Sequence, residues 1–221
     1  MSEFRTFPPC PLLSPVPAVL ISCRAKAPEA KPNLLTVAWA GTVNSNPPML
    51  SISVRKERYS YAMLRDSGEF TVNLVDAEHC KALDYCGVKS GRDVDKWVET
   101  GLTPVAADGL TYAPAVAECP AYLSCKVEQV IPLGSHDMFL ARIVSVAAQE
   151  RFFAPDGSLH LEAAHLVAYA HGVYQRSDDV LGFFAGPPRG AEKADEGVLE
   201  VKVLRGRTLK DSPLTWRVLF Y

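Results

Sequence analysis

The sequence predicts a mainly β domain, an antiparallel barrel closed or partly closed on itself, with short helices inserted between strands. Three observations carry this reading. The run Tyr122-Leu123-Ser124-Cys125-Lys126-Val127-Glu128-Gln129-Val130-Ile131 alternates as a half-buried strand does. Such runs are separated by proline, glycine and asparagine clusters, which make turns. There is no βαβ alternation, which disfavours a doubly wound parallel sheet.

Residues 1–15 form a proline-rich arm whose Pro8, Pro9, Pro11 and Pro15 favour extended backbone. Pro17 to Arg24 is the first β-type run, and the polar segment 26–32, with two prolines, reads as a hairpin loop. Leu34 to Gly41 and Met49 to Val54 are the next two strands, joined by Asn44-Ser45-Asn46-Pro47-Pro48. A short helix is expected from Tyr59 to Ser67, because Tyr59, Met63 and Leu64 share a face and Gly68 supplies a C-terminal cap. Phe70 to Val75 follows as a strand, Glu78 to Val88 as a helix, and 91–97 as a charged loop. The long alternating run and Met138 to Val146 pair about the turn Gly134-Ser135-His136-Asp137. Asp156-Gly157 marks another turn, and Leu166 to Tyr174 is the last apolar segment of the barrel. Residues 1–186 thus form one domain. An extension, 187–221, is set apart by Pro187-Pro188 and the charged stretch Glu192 to Glu196, and reads as either a dimer arm or a disordered tail.

Composition sets the outer limits. The 221 residues are 48% hydrophobic and 22% charged with a net charge of −2, ordinary for a globular chain and without the basic excess of a nucleic-acid binder. No run reaches the ~18 apolar residues of a membrane span. Prolines interrupt the N-terminus where a secretory leader would carry its apolar core, so a cytoplasmic protein is expected. None of the six cysteines forms a C-x-x-C pair, and they read as reduced, mostly buried thiols.

Several chemistries are excluded by their missing motifs: there is no G-x-x-x-x-G-K-[ST] loop, no G-x-G-x-x-G, no G-x-S-x-G and no H-E-x-x-H. Ser135, His136 and Asp137 are adjacent and so cannot adopt the geometry of a hydrolytic triad. His160, His165 and His171 match no helical face and read as structural or exposed. The cluster from Ser53 to Tyr61 is different. Ser53 and Arg55 share one side of a strand, Lys56 and Arg58 follow, and Ser60 and Tyr61 open a helix. A helix N-terminus beside arginine and hydroxyl donors suits a phosphate, and a solvated basic turn explains the segment equally well. Thr36 to Trp39 mixes small residues with one hydroxyl and one large aromatic, which allows a planar ligand to approach the backbone.

The ordered motifs Asn33-x-x-Thr36-x-Ala38-Trp39, Asn46-Pro47-Pro48, Ser53-x-Arg55-Lys56, Tyr59-Ser60-Tyr61 and Gly68 to Asn73 are similar to the flavin reductase-like family of FMN-binding split barrels, its flavoredoxin branch above all. Asp84 to Gly87, Ser90 to Lys96, Gly101 to Pro104 and Gly134 to His136 extend the likeness across residues 12–186. The resemblance implies an antiparallel Greek-key split barrel and a homodimer with one FMN held non-covalently at each subunit interface. It places Thr36, Val37, Ala38 and Trp39 along the flavin ring. Ser53, Val54, Arg55 and Lys56 would follow the ribityl chain and phosphate, closed by Ser60 and Tyr61. Arg92 and Lys96 would approach from their loop, and His136 from its turn. No side chain acts as a nucleophile in this scheme; the flavin does the chemistry. The expected function is an FMN-dependent oxidoreductase, drawing electrons from NADH, NADPH or a redox-partner protein. The alternatives are an FMN-binding sensor or store without turnover, and a β-barrel interaction protein.

Overall fold

A computed structural model describes residues 3–178 and 180, so the expected extension 187–221 lies outside the described residues. Strands β1 (Val16–Pro17), β2 (Val19–Cys23), β3 (Asn33–Val37), β4 (Ala40–Ser45) and β5 (Pro48–Val54) lead into helix α1 (Tyr59–Ser67). Then come β6 (Glu69–Leu74), helices α2 (Cys80–Val88) and α3 (Lys96–Thr100), and the short strands β7 (Pro104–Val105) and β8 (Ala115–Val116). The long hairpin β9 (Ala121–Pro132) and β10 (Asp137–Ala148) precedes the final β11 (Val167–Ala170) and β12 (Val173–Arg176).

Seven strands form one antiparallel sheet in the order β3-β2-β6-β9-β10-β5-β4. It curls around an apolar core that includes Ile21, Leu35, Val37, Ile52, Val54, Phe70, Val72 and Phe139. Period-two alternation decides which residues enter: along β5, Leu50, Ile52 and Val54 are buried while Ser51 and Ser53 are not. A second cluster, with Leu20, Leu34, Leu83, Cys86, Trp97 and Val167, fills the space between the outer face of β2 and β3, helices α2 and α3, and β11. Covered on both faces, β2 is buried along its whole length.

The barrel is split. β3 and β4 are the two ends of the sheet, and the chain passes from one to the other through Ala38 and Trp39. Leu34 to Gly41, expected as one strand, is therefore two: Val37 pairs with Val19 on one side and Ala40 with Ile52 on the other. At the crossing, the Ser53 amide donates to the Trp39 carbonyl at 3.0 Å. Helix α1 has the expected bounds, closed by Gly68 at φ 67°, whose amide donates to Leu64 O. The segment 91–97, expected as loop, contains the start of α3, capped by the Asp95 carboxylate on the Trp97 and Val98 amides.

Strand β6 alternates apolar and polar residues. Its polar face is roofed by residues 111–116, and each polar side chain bonds the roof. Glu69 Oε2 accepts from the Thr111 and Tyr112 amides, at 2.9 and 2.8 Å. Thr71 Oγ1 donates to Pro114 O at 2.8 Å. Asn73 Oδ1 accepts from the Val116 amide at 2.9 Å, while its Nδ2 donates to Leu20 O and Thr71 Oγ1. Asn73 is fully buried, so replacing it strands several polar groups at once. Asn73→Leu is expected to lower the unfolding free energy by about 2 kcal/mol or more, measured by urea denaturation.

Candidate functional site

Two cavities of about 250 and 150 Å³ adjoin along the split and share Leu35, Arg55 and Arg58. They form one groove with two chemically distinct ends.

The larger end is cationic. Arg55 and Arg58 from the β5–α1 turn meet Lys89, Arg92 and Lys96 from the segment after α2, with Ser60 beside them and Glu57 as the one acid among the lining residues. Among the described residues, Arg55, Arg58 and Arg92 are in no ion pair. Backbone carbonyls position two of them: Arg58 Nη1 donates to Gly87 O at 3.0 Å, and Arg92 Nη1 to Glu57 O at 3.1 Å. The Arg92 guanidinium also sits 5.5 Å from the centre of the Tyr59 ring. Lys96 is 3% exposed, and its Nζ donates to Leu34 O and Cys86 O, both at 2.7 Å. Burial pulls its pKa below the ordinary lysine value, and the Arg58 charge acts in the same direction. Helix α1 starts here with Arg58 as N-cap, no side-chain cap and no acid in its first turn, so the positive end of its dipole is left unneutralised.

The smaller end is a slot lined by Thr36, Val37, Ala38 and Trp39 on one side, Ser53 and Val54 on the other, and His136. Much of it is main chain. The Thr36 hydroxyl donates to Leu83 O on α2, and the side chains of Val37 and Val54 belong to the barrel core. Trp39 remains 47% exposed, with its ring 4.6 Å from that of His136 and tilted by 43°. Burial, reinforced by the Arg55 charge, pulls the His136 pKa down. Its Nδ1 lies 2.9 Å from Ser135 Oγ.

Eleven of the thirteen residues expected at the site line this groove: Thr36, Val37, Ala38, Trp39, Ser53, Val54, Arg55, Ser60, Arg92, Lys96 and His136. Lys56 and Tyr61 line neither cavity. Tyr61 donates to Asp137 Oδ2 at 2.5 Å, and Lys56 Nζ lies 3.4 Å from Asp137 Oδ1. The Tyr61 bond, then Lys56, holds the Asp137 carboxyl below the usual carboxylate range. Nine lining residues fell outside the expected set, Arg58, Asn33 and Gly91 among them. Arg58 carried a signal, since it stands three residues beyond Arg55 at the start of α1. Asn33 opens the motif Asn33-x-x-Thr36, but its bond to the site, Nδ2 donating to Ser60 Oγ at 2.7 Å across 27 positions, is a tertiary property. A Cβ on Gly91 would run into Asn33 Oδ1 and lie 2.6 Å from Tyr59 Cδ1, so only glycine lets this loop close the groove.

An antiparallel split barrel with a groove along its split defines the class of protein, and comparison gives the family. Residues 13–178 match the model of the flavin reductase-like domain, and the chain belongs to that family. Two solved structures are similar. The flavoredoxin of Desulfovibrio vulgaris (Miyazaki F) has a TM-score of 0.74 and 28% identity, over 86% of this chain and 99% of that one. The flavoredoxin of Methanosarcina acetivorans has a TM-score of 0.72 and 27% identity, over 87% and 98%. An FMN reductase (NADH) of Bradyrhizobium diazoefficiens is 23% identical over 124 residues, 56% of this chain and 64% of the reductase. The chain spans 68% and 45% of the first two curated relatives it matches.

The charges around His136 make its titration a probe of the groove. Its proton should be lost with a midpoint below the ordinary 6.5. The unfolded chain then takes up this proton first, so the group favours unfolding as pH falls through that ordinary value and is without effect well above it. In Arg55→Ala the midpoint should rise, as followed by proton NMR of the imidazole.

Proposed function

We propose that this chain is an FMN-binding oxidoreductase that passes electrons through flavin held in the split of the barrel. The observation that carries the reading is the charge of the groove: five cationic side chains against one carboxylate at one end, adjoining an aromatic-edged slot at the other. A terminal phosphate attached through a polyol to a planar ring has this distribution of chemistry. The residues fit the group, because unpaired arginines and an uncapped helix start answer a dianion without moving any existing ion pair.

Bound FMN would supply hydride acceptance and onward electron delivery. In this reading Arg55 and Arg58 bind the phosphate with the first turn of α1, and Lys96 adds a fixed, desolvated positive charge. Ser53 and the main chain of Val54 follow the polyol. Thr36 to Trp39 present amide and carbonyl groups to the ring edge, and Trp39 shields it from water. With Nδ1 engaged by Ser135, His136 offers Nε2 to the ring as a neutral hydrogen-bonding atom. Lys56 and Tyr61 act at one remove, by holding Asp137 next to His136.

The similarity to an FMN reductase (NADH) supports NADH or NADPH as donor, and that to flavoredoxins supports exchange with a redox-partner protein. A homodimer that closes the open side of the groove, over the exposed Trp39, completes the proposal, with residues 1–186 as the flavin domain and 187–221 as an extension.

Purified protein should show flavin absorbance and be reduced anaerobically by NADH, NADPH or a reduced partner protein. Flavin binding with no such reduction would instead mean an FMN-binding module without turnover. Arg55→Ala should weaken FMN binding by roughly 10–100-fold and leave riboflavin affinity nearly unchanged. Fluorescence titration of the two flavins checks this; equal loss for both would remove the phosphate assignment.

A further inference from the structure

A third cavity, of about 340 Å³, lies away from the groove and plays no part in the function above. It is lined by Arg24 just after β2, Pro32 just before β3, the start of β7, and the roof segment as far as Pro114. Its walls are apolar and compact: Val105, Ala106, Ala107, Leu110 and Ala113 among them, with Tyr112. Arg24 is its only charged lining residue, where the cationic end of the groove has five cations and one acid.

The cation is conspicuously uncompensated. Arg24 is in no ion pair among the described residues, and its Nε is closed to solvent without an acceptor. The guanidinium carbon lies 5.9 Å from the centre of the Tyr112 ring, so the planar fork is held against an aromatic wall. The carboxylate of Glu69, on the strand that pairs with β2, is spent on the Thr111 and Tyr112 amides. Those bonds, with Thr71 to Pro114 O, make the roof a fixed wall. Gly109 at φ +76° packs its far side on Val144. The cavity is thus preformed, with an unsatisfied cationic donor and an apolar body. Its volume falls in the lower part of the ~300–1,000 Å³ range of small-molecule sites.

We propose that this cavity is a binding site for a small organic monocarboxylate with a compact apolar or aromatic body. The carboxylate pairs with the Arg24 guanidinium and the body lies against the alanine, proline and leucine wall. Inorganic phosphate is a poor occupant, because one cation without a second donor group leaves most of its charge unanswered.

Calorimetric titration of the full-length protein with benzoate, benzamide and inorganic phosphate tests this, with and without saturating FMN. Benzoate should bind with a dissociation constant of about 1 mM or tighter, and the two others at least about tenfold more weakly. Arg24→Met should weaken benzoate binding by about tenfold or more. The exposed wall variant Ala106→Leu, which fills the cavity without touching the core, should do the same at an unchanged melting temperature. Absence of benzoate binding at about 10 mM overturns the proposal. So does binding that survives Ala106→Leu, or that FMN displaces, since the latter locates it in the groove. FMN binding itself decides the flavin reading independently.

Discussion

The open edge of β3 is the constraint around which the rest of this structure is arranged. A sheet that curls but does not close leaves backbone groups of its end strand without a partner, and such an edge must be covered, charged or used. Here it is used. The Leu34 carbonyl of β3 and the Cys86 carbonyl of α2 are both taken by the buried Lys96 ammonium. One cation thereby ties α3, α2 and the edge strand together and leaves its charge inside the groove. Burying an ammonium opposite neutral carbonyls is costly unless an anion shares the site. Among the described residues Lys96 is in no ion pair, so its charge is left to the groove.

The two ends of the groove are built from different materials. At the cationic end side chains do the work, on segments that follow strand or helix ends and point several charges into one space. At the slot, main chain dominates, since Val37 and Val54 spend their side chains on the core and Thr36 spends its hydroxyl on α2. A planar ring with donors and acceptors on its edge is matched by amide and carbonyl groups; a dianion is matched by guanidinium groups. The split provides both because it places a strand edge beside the turn that starts a helix.

Much of this was legible in the sequence. Alternation gave the barrel class, and Gly68 with its apolar face gave α1 to the residue. The order of short motifs from Asn33 to Asn73 pointed to the family. Local signals failed where a tertiary partner decided the outcome. The strand of β6 is plain from its residues, but nothing nearby in sequence says that 111–116 will cover its polar face. Lys96 read as part of a charged loop because its acceptors lie 62 and 10 residues away. Lys56 and Tyr61 have the right chemistry for a phosphate and the right spacing from Arg55, but Asp137, 76 residues beyond Tyr61, draws both aside.

That diversion is informative about how the site keeps its shape. Asp137 is paired with Val54 across β5 and β10 and adjoins His136 in sequence. The bonds from Tyr61 on α1 and Lys56 after β5 therefore fasten the turn carrying the histidine to the elements carrying the arginines. The two ends of the groove are coupled through this carboxylate. Loss of the Asp137 charge, at a pH below the ordinary carboxylate value, would loosen the His136 turn. A groove assembled from a strand edge, a helix start and a turn needs such a clamp, because no single element of the barrel spans its length.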